Sequence, residues 1–363
     1  MYAFLFIIIC CYIVANDRTN LCNRIAQNVF FPGIEHVLNK EETTNWKKLG
    51  MENLFPLYQY MNDSTYTVAN VEDEYTYEMI LAMQENDETL ADDDLIEYNQ
   101  PTKENAVSSI DMSIEKLKDF DYLLSHFYTV DSTTTIGPDQ LNAEELLGKS
   151  MKINQKSEGP KVLIYHTHSQ EAFANSISGD TSTSIVGIGA YLTELLNARG
   201  ISTIHHTGVY DFVNGKLDRS EAYQQAEVAV KQILKQNSSI EVVIDLHRDG
   251  VPESTHLVTT VDGKQTAKIM FFNGLSRTKT NGNIDYLYNP YIQDNLSFSL
   301  QMQLMCEKLY PGFARRIYLR GYRYSMHLMP KTLLIEAGAQ TNTVEEMKNA
   351  MDLLANVLAK VLL

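Results

Sequence analysis

The run Ile240–Leu246, IEVVIDL, constrains the chain more than any other stretch. Its hydrophobicity is nearly continuous rather than alternating. A strand of that kind is buried on both faces, as in a parallel sheet covered by helices. Two more runs read the same way, Val162–Tyr165 (VLIY) and Thr332–Ile335 (TLLI). Helical patterns separate them. They are Gly187–Ala198, stopped by Gly200; Arg219–Lys235, with Ala222, Ala226, Val230, Ile233 and Leu234 on one face; Leu296–Leu309, stopped by Pro311-Gly312; and Val344–Leu362. Further strands are expected at Ile201–His205, and at His256–Val261 and Ala267–Phe272 about a turn at Asp262-Gly263. The alternation predicts an α/β fold, a three-layer sandwich with a mixed, mostly parallel central sheet.

The chain has 363 residues, more than one small domain needs. Its first part is of a different kind. Tyr2–Ala15, YAFLFIIICCYIVA, carries no charge and is shorter than the roughly 17–25 residues of a full helical span. No Lys or Arg precedes it and no clear small-residue cleavage site follows, so it reads as an uncleaved amino-terminal membrane anchor. Weak helical patterning follows around Trp46. From Leu49 to Thr102 there is no Lys or Arg, and Glu72–Glu97 holds 11 acids, the composition of a solvated linker. Helix is expected again within Ser108–Tyr128 and at Leu141–Leu147, where Asn142 is a suitable cap. The division is therefore an anchor at 1–16, a variable region with an acidic linker at 17–110, and a catalytic domain at 111–363.

Charge and cysteine narrow the function. The net charge is −16, opposite to what a phosphate backbone requires, so nucleic acid is not the partner. No P-loop and no G-x-G-x-x-G follows a strand. The four cysteines, at 10, 11, 22 and 306, form no C-x-x-C pair and no disulfide framework.

The chemistry gathers where the three hydrophobic runs stop. After Val162–Tyr165 come His166, His168 and Glu171. His168 and Glu171 have H-x-x-E spacing, which lets both side chains share one cation. Of the two histidines, one is expected to point away from it. After the second run comes Asp245-Leu246-His247-Arg248-Asp249, and after the third comes Glu336. Carboxyl ends of strands in one open sheet converge, so a zinc site of His168, Glu171 and His247 is expected, with Glu336 as acid/base. Arg248 and Asp249 are candidates for supporting the ligands or touching substrate, and so is His166. The competing reading makes His247 a core histidine partnered by Asp249, and Glu336 an ion pair with Arg320 or Arg323.

VLIYHTHSQEAF, IEVVIDLHRDG, KIMFFNGLSR, NPYIQDNLSFSLQMQ, YPGFARRIYLRGYRYSMHL and LLIEAGAQTNTVEEMKNAM occur in that order. Together, from about Phe127 to the carboxyl end, they resemble the stage II sporulation protein P family, cell-wall hydrolases of endospore-forming bacteria. That family is similar to zinc-dependent N-acetylmuramoyl-L-alanine amidases, whose strand-end histidine matches His168. Their E-x-G-x-x-x-N run matches Glu336 to Asn342, which makes Asn342 a further candidate. The ligand glutamate departs from their pattern. It comes there from the start of the following helix, which here reads Gly187-Ile188-Gly189-Ala190 without an acid, and Glu171 takes its place.

The resemblance implies a zinc amidase that acts on peptidoglycan during forespore engulfment, with an endopeptidase activity also attributed to the family. It implies anchoring in the engulfing mother-cell membrane with the catalytic domain outside the cytosol. It implies two partners, a lytic transglycosylase (stage II sporulation protein D) and stage II sporulation protein M. The alternatives are a zinc peptidase acting on stem peptides or cross-links, and a wall-binding scaffold whose metal site has decayed.

Overall fold

A computed structural model describes residues 110–280 and 282–363. The apolar run Tyr2–Ala15, the pattern around Trp46 and the acidic stretch Glu72–Glu97 lie outside the described residues. Among the described residues, no helix is long and apolar enough to cross a membrane.

The central sheet has seven strands: β1 (Tyr128–Val130), β2 (Val162–Tyr165), β3 (Thr203–His205), β4 (Val242–Asp249), β5 (Ile269–Gly274), β6 (Ile317–Arg320) and β7 (Thr332–Ala339). Their spatial order is β1-β6-β5-β7-β4-β2-β3. All neighbours are parallel except β5 and β7. The sheet is therefore mixed and mostly parallel, as the hydrophobic runs predict. The helices are α1 (Ile114–Leu117), α2 (Phe120–Phe127), α3 (Ala143–Gly148), α4 (Ile185–Ala198), α5 (Ala222–Gln236), α6 (Ile292–Leu309) and α7 (Val344–Leu362). Caps fix several starts. Asn142 accepts from the Glu144 and Glu145 N–H groups ahead of α3, and Thr343 with Glu346 makes a capping box on α7.

Alternation along each strand divides the core in two. Val162, Ile164, Val242, Ile244, Leu246, Leu333 and Ile335 pack with α4, α6 and α7 in the larger cluster. Leu163, Tyr165 and Val243 face the other way, against Ala226 and Val230 of α5. Further along that second face, Phe272 and Leu334 pack with Met326, Tyr318 and Tyr324. Burying each large apolar side chain contributes about 1.5–3 kcal/mol, so the three-helix face carries most of the stability. The α5 face holds the polar groups described below.

Several elements differ from expectation. Strand β4 runs on through Asp249, and β7 through Ala339, because their polar side chains find partners and the ladder need not stop. His247 and Glu336 therefore lie within strands rather than beyond them. The hairpin Val258–Val261 with Lys264–Ala267 is a separate two-stranded sheet. Its turn at Asp262-Gly263 takes positive φ values of 50° and 77°. Lys268 divides it from β5, and the Lys268 carbonyl accepts from Gly338 N at 2.9 Å. Strands β1 and β6 were not expected. They have three and four residues, too few to show a pattern. Helix α5 begins at Ala222, which leaves Arg219 in the turn before it.

Candidate metal centre

Strand β2 delivers the first piece. His166 turns to the α4 side, where its Nδ1 is 2.7 Å from the Leu246 carbonyl and its Nε2 is 2.8 Å from His205 Nε2. It is fully buried on that side, and both ring nitrogens face these partners. Gly189 of α4 makes room for this pair. A Cβ there would lie 2.5 Å from His166 Nε2 and 2.8 Å from His205 Nε2. Burial, reinforced by His205, pushes His166 down to about 4, and burial likewise holds His205 at about 4. Two neutral imidazoles can share one hydrogen bond, one donating and one accepting.

Beyond β2 the chain leaves the sheet and turns, which aims His168 away from His166. Asp211 fixes this turn by accepting from Ser169 Oγ (2.7 Å) and Gln170 N (2.9 Å). Glu171 is held at both ends. Its carbonyl accepts from Ile185 N, at the start of α4, and its Oε2 accepts from Arg248 N at 2.8 Å. Glu171 Oε1 then faces His168 Nδ1 at 3.5 Å and His247 Nδ1 at 3.7 Å. The two rings meet edge to face, centroids 4.9 Å apart. His168, Glu171 and His247 are all buried, and each offers a ligand atom within 4.8 Å of the others.

The set fits zinc. Tetrahedral ligands with bonds of about 2.0–2.1 Å stand roughly 3.3 Å apart, near the spacing here. Electrostatics agree. Burial works against the Glu171 charge, yet His168 and His247 hold its pKa well below the ordinary carboxylate range. Burial also works against a proton on His247, but Asp245 and Glu171 outweigh it and raise its pKa well above the ordinary value. A buried carboxylate between imidazoles is thus a place that attracts positive charge.

Asp245, to which the sequence alone assigns no role, stands behind His247. Its Oδ1 is 2.8 Å from His247 Nε2, a short ionic contact bent from the line of the N–H. Thr167 N and Oγ1 donate to the same carboxylate at 2.9 and 2.6 Å. The signal was its position two residues before His247, which in a strand means the same face.

Glu336 is the direct register partner of His247 on β7. Its Oε2 is buried and has no hydrogen-bond partner. Burial, with Asp249 and Glu171 adding to it against the two histidines, raises its pKa to about 8. The arginines that could have neutralised it pair elsewhere, Arg320 with Asp131 (3.7 Å) and Arg323 with Glu227 (3.6 Å).

The remaining candidates are placed as follows. Arg248 serves through its backbone N–H on Glu171, while its guanidinium donates to the Ala172 and Asp249 carbonyls. Asp249 pairs with Arg315 at 2.5 Å and not with His247. Asn342 is fully buried and spent on structure, contrary to a substrate-facing role. It accepts from Ala339 N and donates to the Leu257 carbonyl and Glu346. Gly338, at φ +60°, lies in the irregularity between Glu336 and Ala339, where a Cβ would meet Met347 Sδ at 2.5 Å. The spacing Glu336-x-Gly338-x-x-x-Asn342 is thus the geometry of one bulged strand end. Arg219 also borders the centre, with Nη2 3.8 Å from Glu171 Oε1.

Comparison with known proteins gives the following. The family model described as Stage II sporulation protein P (SpoIIP) matches residues 45–359. Stage II sporulation protein P of Bacillus subtilis (strain 168) is 26% identical over 214 residues, which cover 55% of this chain and 50% of that protein. The match therefore spans half the length of this relative. Among solved structures, the CwlD amidase from Clostridioides difficile, in complex with the GerS lipoprotein, is 16% identical. That match covers 55% of this chain and 98% of the other, with a TM-score of 0.35. The catalytic domain of CwlV, an N-acetylmuramoyl-L-alanine amidase from Bacillus (Paenibacillus) polymyxa var. colistinus, is 13% identical. It covers 55% of this chain and 94% of the other, with a TM-score of 0.32.

Proposed function

The chain belongs to the stage II sporulation protein P family, and from that premise we propose that it is a zinc-dependent hydrolase of peptidoglycan. In this reading it is an N-acetylmuramoyl-L-alanine amidase that cuts stem peptides from glycan strands during forespore engulfment. One observation carries the reading: His168, Glu171 and His247 bring their ligand atoms within 4.8 Å of one another, with Glu336 in register beside His247. Two imidazoles and a carboxylate are a zinc set that leaves one position open for chemistry. When bound, zinc polarises the scissile carbonyl and makes water a nucleophile near neutral pH.

The rest is work for the chain's own residues. Asp245 orients the His247 ring, and the Arg248 and Ile185 N–H groups hold Glu171 in place. Glu336 handles the proton. Its Oε2 takes one from the attacking water and returns it to the leaving amide nitrogen. A cation held by His168, Glu171 and His247 would favour the charged carboxylate of Glu336, the form that accepts a proton. The apolar run Tyr2–Ala15 supports a membrane-anchored protein with the sheet domain outside the cytosol. Protease added to spheroplasts should then digest that domain, and protection until lysis would overturn the orientation.

A peptidase reading draws on the H-x-x-E spacing of His168 and Glu171. Mass spectrometry of sacculi digested by the zinc-loaded chain separates the two. Free stem peptides and bare glycan strands support the amidase. Opened cross-links with peptides still on the glycan support the peptidase. No product from folded, zinc-loaded protein would end the hydrolase reading.

A further inference from the structure

We propose that Arg219 receives a carboxylate of the substrate, so that the site favours peptides bearing a free carboxylate beside the scissile amide. This rests on the peptidoglycan-hydrolase reading and names the part of the substrate that the site recognises. Three observations lead to it.

The first is position. Arg219 is 7% exposed, and its Nη2 is 3.8 Å from Glu171 Oε1, the oxygen that also faces His168 and His247. The second is rigidity. Asp211 holds the Ser169–Gln170 turn through its side chain, and through its carbonyl it accepts from Asp218 N at 2.9 Å, next to Arg219. The Arg219 turn and the ligand turn are therefore braced by one residue. The third is the adjoining wall. Tyr223, four residues on, sets its ring edge-on to His168 (centroids 5.8 Å) and to Tyr324 (5.4 Å). Tyr324 in turn meets Phe272 at 4.7 Å. Tyr324 has φ 49°, and Gly274 admits its close approach, since a Cβ there would lie 2.9 Å from Tyr324 Cδ2. The wall is thus aromatic and fixed and meets the centre at His168, while the Arg219 guanidinium meets it at Glu171.

Charge then selects the ligand. A divalent cation among His168, Glu171 and His247 would stand close to the Arg219 guanidinium, in a site largely shielded from water. The single Glu171 carboxylate offsets only part of that positive charge, and a second anion reaching both cations offsets more. A planar carboxylate matches the guanidinium fork, which a sugar hydroxyl or a carboxamide does not. In a stem peptide the group in question is the α-carboxylate left free when an acidic residue is joined through its side chain.

The test compares two N-acetylmuramoyl tripeptides, both amidated at the carboxyl terminus. They differ only at the second residue, with a free α-carboxylate in one and a carboxamide in the other. Calorimetry uses the zinc-loaded full chain in the Glu336→Gln background, which spares the peptide. The carboxylate form should bind at least about tenfold tighter, as a charged hydrogen bond in such a site allows. Adding Arg219→Gln should bring the ratio near one, and Arg219→Lys should keep part of it, with zinc stoichiometry unchanged in both. In turnover with Glu336 intact, Arg219→Gln should raise KM for the carboxylate form more than it lowers kcat. Equal affinity for the two peptides, or an unchanged ratio in Arg219→Gln, overturns the proposal. So does loss of zinc from both Arg219 variants, which would make the arginine a brace for Glu171. Failure of the hydrolase reading shows separately, as no release of stem peptides from sacculi, and the binding ratio still decides the role of Arg219.

Discussion

Glu336 and His247 are register partners on adjacent parallel strands, so their side chains rise from the same face of the sheet. In the proposed function the first handles the proton and the second holds the metal. They should therefore separate under mutation. Glu336→Gln should keep its zinc and lose turnover by roughly 10²–10⁴-fold, the usual worth of a general acid–base group. Its melting temperature should hold, because Arg320 and Arg323 already have other partners. His247→Ala should lose zinc and activity together. Zinc analysis, melting and turnover on both variants check this, and a collapsed melting temperature with residual turnover in Glu336→Gln would refute the role.

Glu336 also predicts a pH dependence of the metal-free protein. Folded, its pKa is raised to about 8 from an ordinary 4.5, with burial the main cause. Between those values the folded chain holds a proton that the unfolded chain has released. The contribution is present in full below pH 4.5 and is lost as pH rises through about 8. Wild type stripped of metal should thus lose melting temperature over this window relative to Glu336→Gln. Parallel profiles for the two proteins would show that the carboxyl is not held protonated.

Asp245 should act through His247 and not on substrate. Carboxylates behind a ligand histidine are typically worth about 10–100-fold in metal affinity. Asp245→Asn should weaken zinc by that order in a chelator competition. Thr167→Val, which removes one of the donors to Asp245, should weaken it less. Unchanged affinity in both would mean the ring is oriented by other contacts.

Gly189 tests the other face of the sheet. An added Cβ would press on His166 and His205, and overpacking of this kind costs about 1–3 kcal/mol. Gly189→Ala should melt earlier yet bind a full equivalent of zinc. Lost zinc at normal stability would place the histidine pair in the metal's service.

The sequence was most readable where burial is continuous. IEVVIDL, VLIY and TLLI announce three neighbouring parallel strands, and the ligand types at their ends announce the site. What stayed hidden depends on distance in the chain. Asp245 looked like part of a hydrophobic run, and only the contact with Thr167 and His247 gives it a task. Arg219 looked like the first residue of a helix, yet it lies in the turn before α5 and reaches Glu171 across the fold. His166 and His168 are two residues apart and part company only because the strand ends at Tyr165. Asn342 has a site-like spacing from Glu336, but its side chain is consumed by Ala339 N, Glu346 and the distant Leu257 carbonyl.

The strand that carries Glu336 is the last in the chain, and yet it sits inside the sheet, between β4 and β5. During synthesis β2 and β4 are available early, and they bring together Glu171 and Arg248, partners 77 residues apart. The proton-handling residue arrives only when β7 has been made and inserted, and long-range pairings of this sort form late. A chain made only as far as β6 thus has His168, Glu171 and His247 but lacks Glu336. In the proposed function, insertion of β7 becomes the step that arms the site.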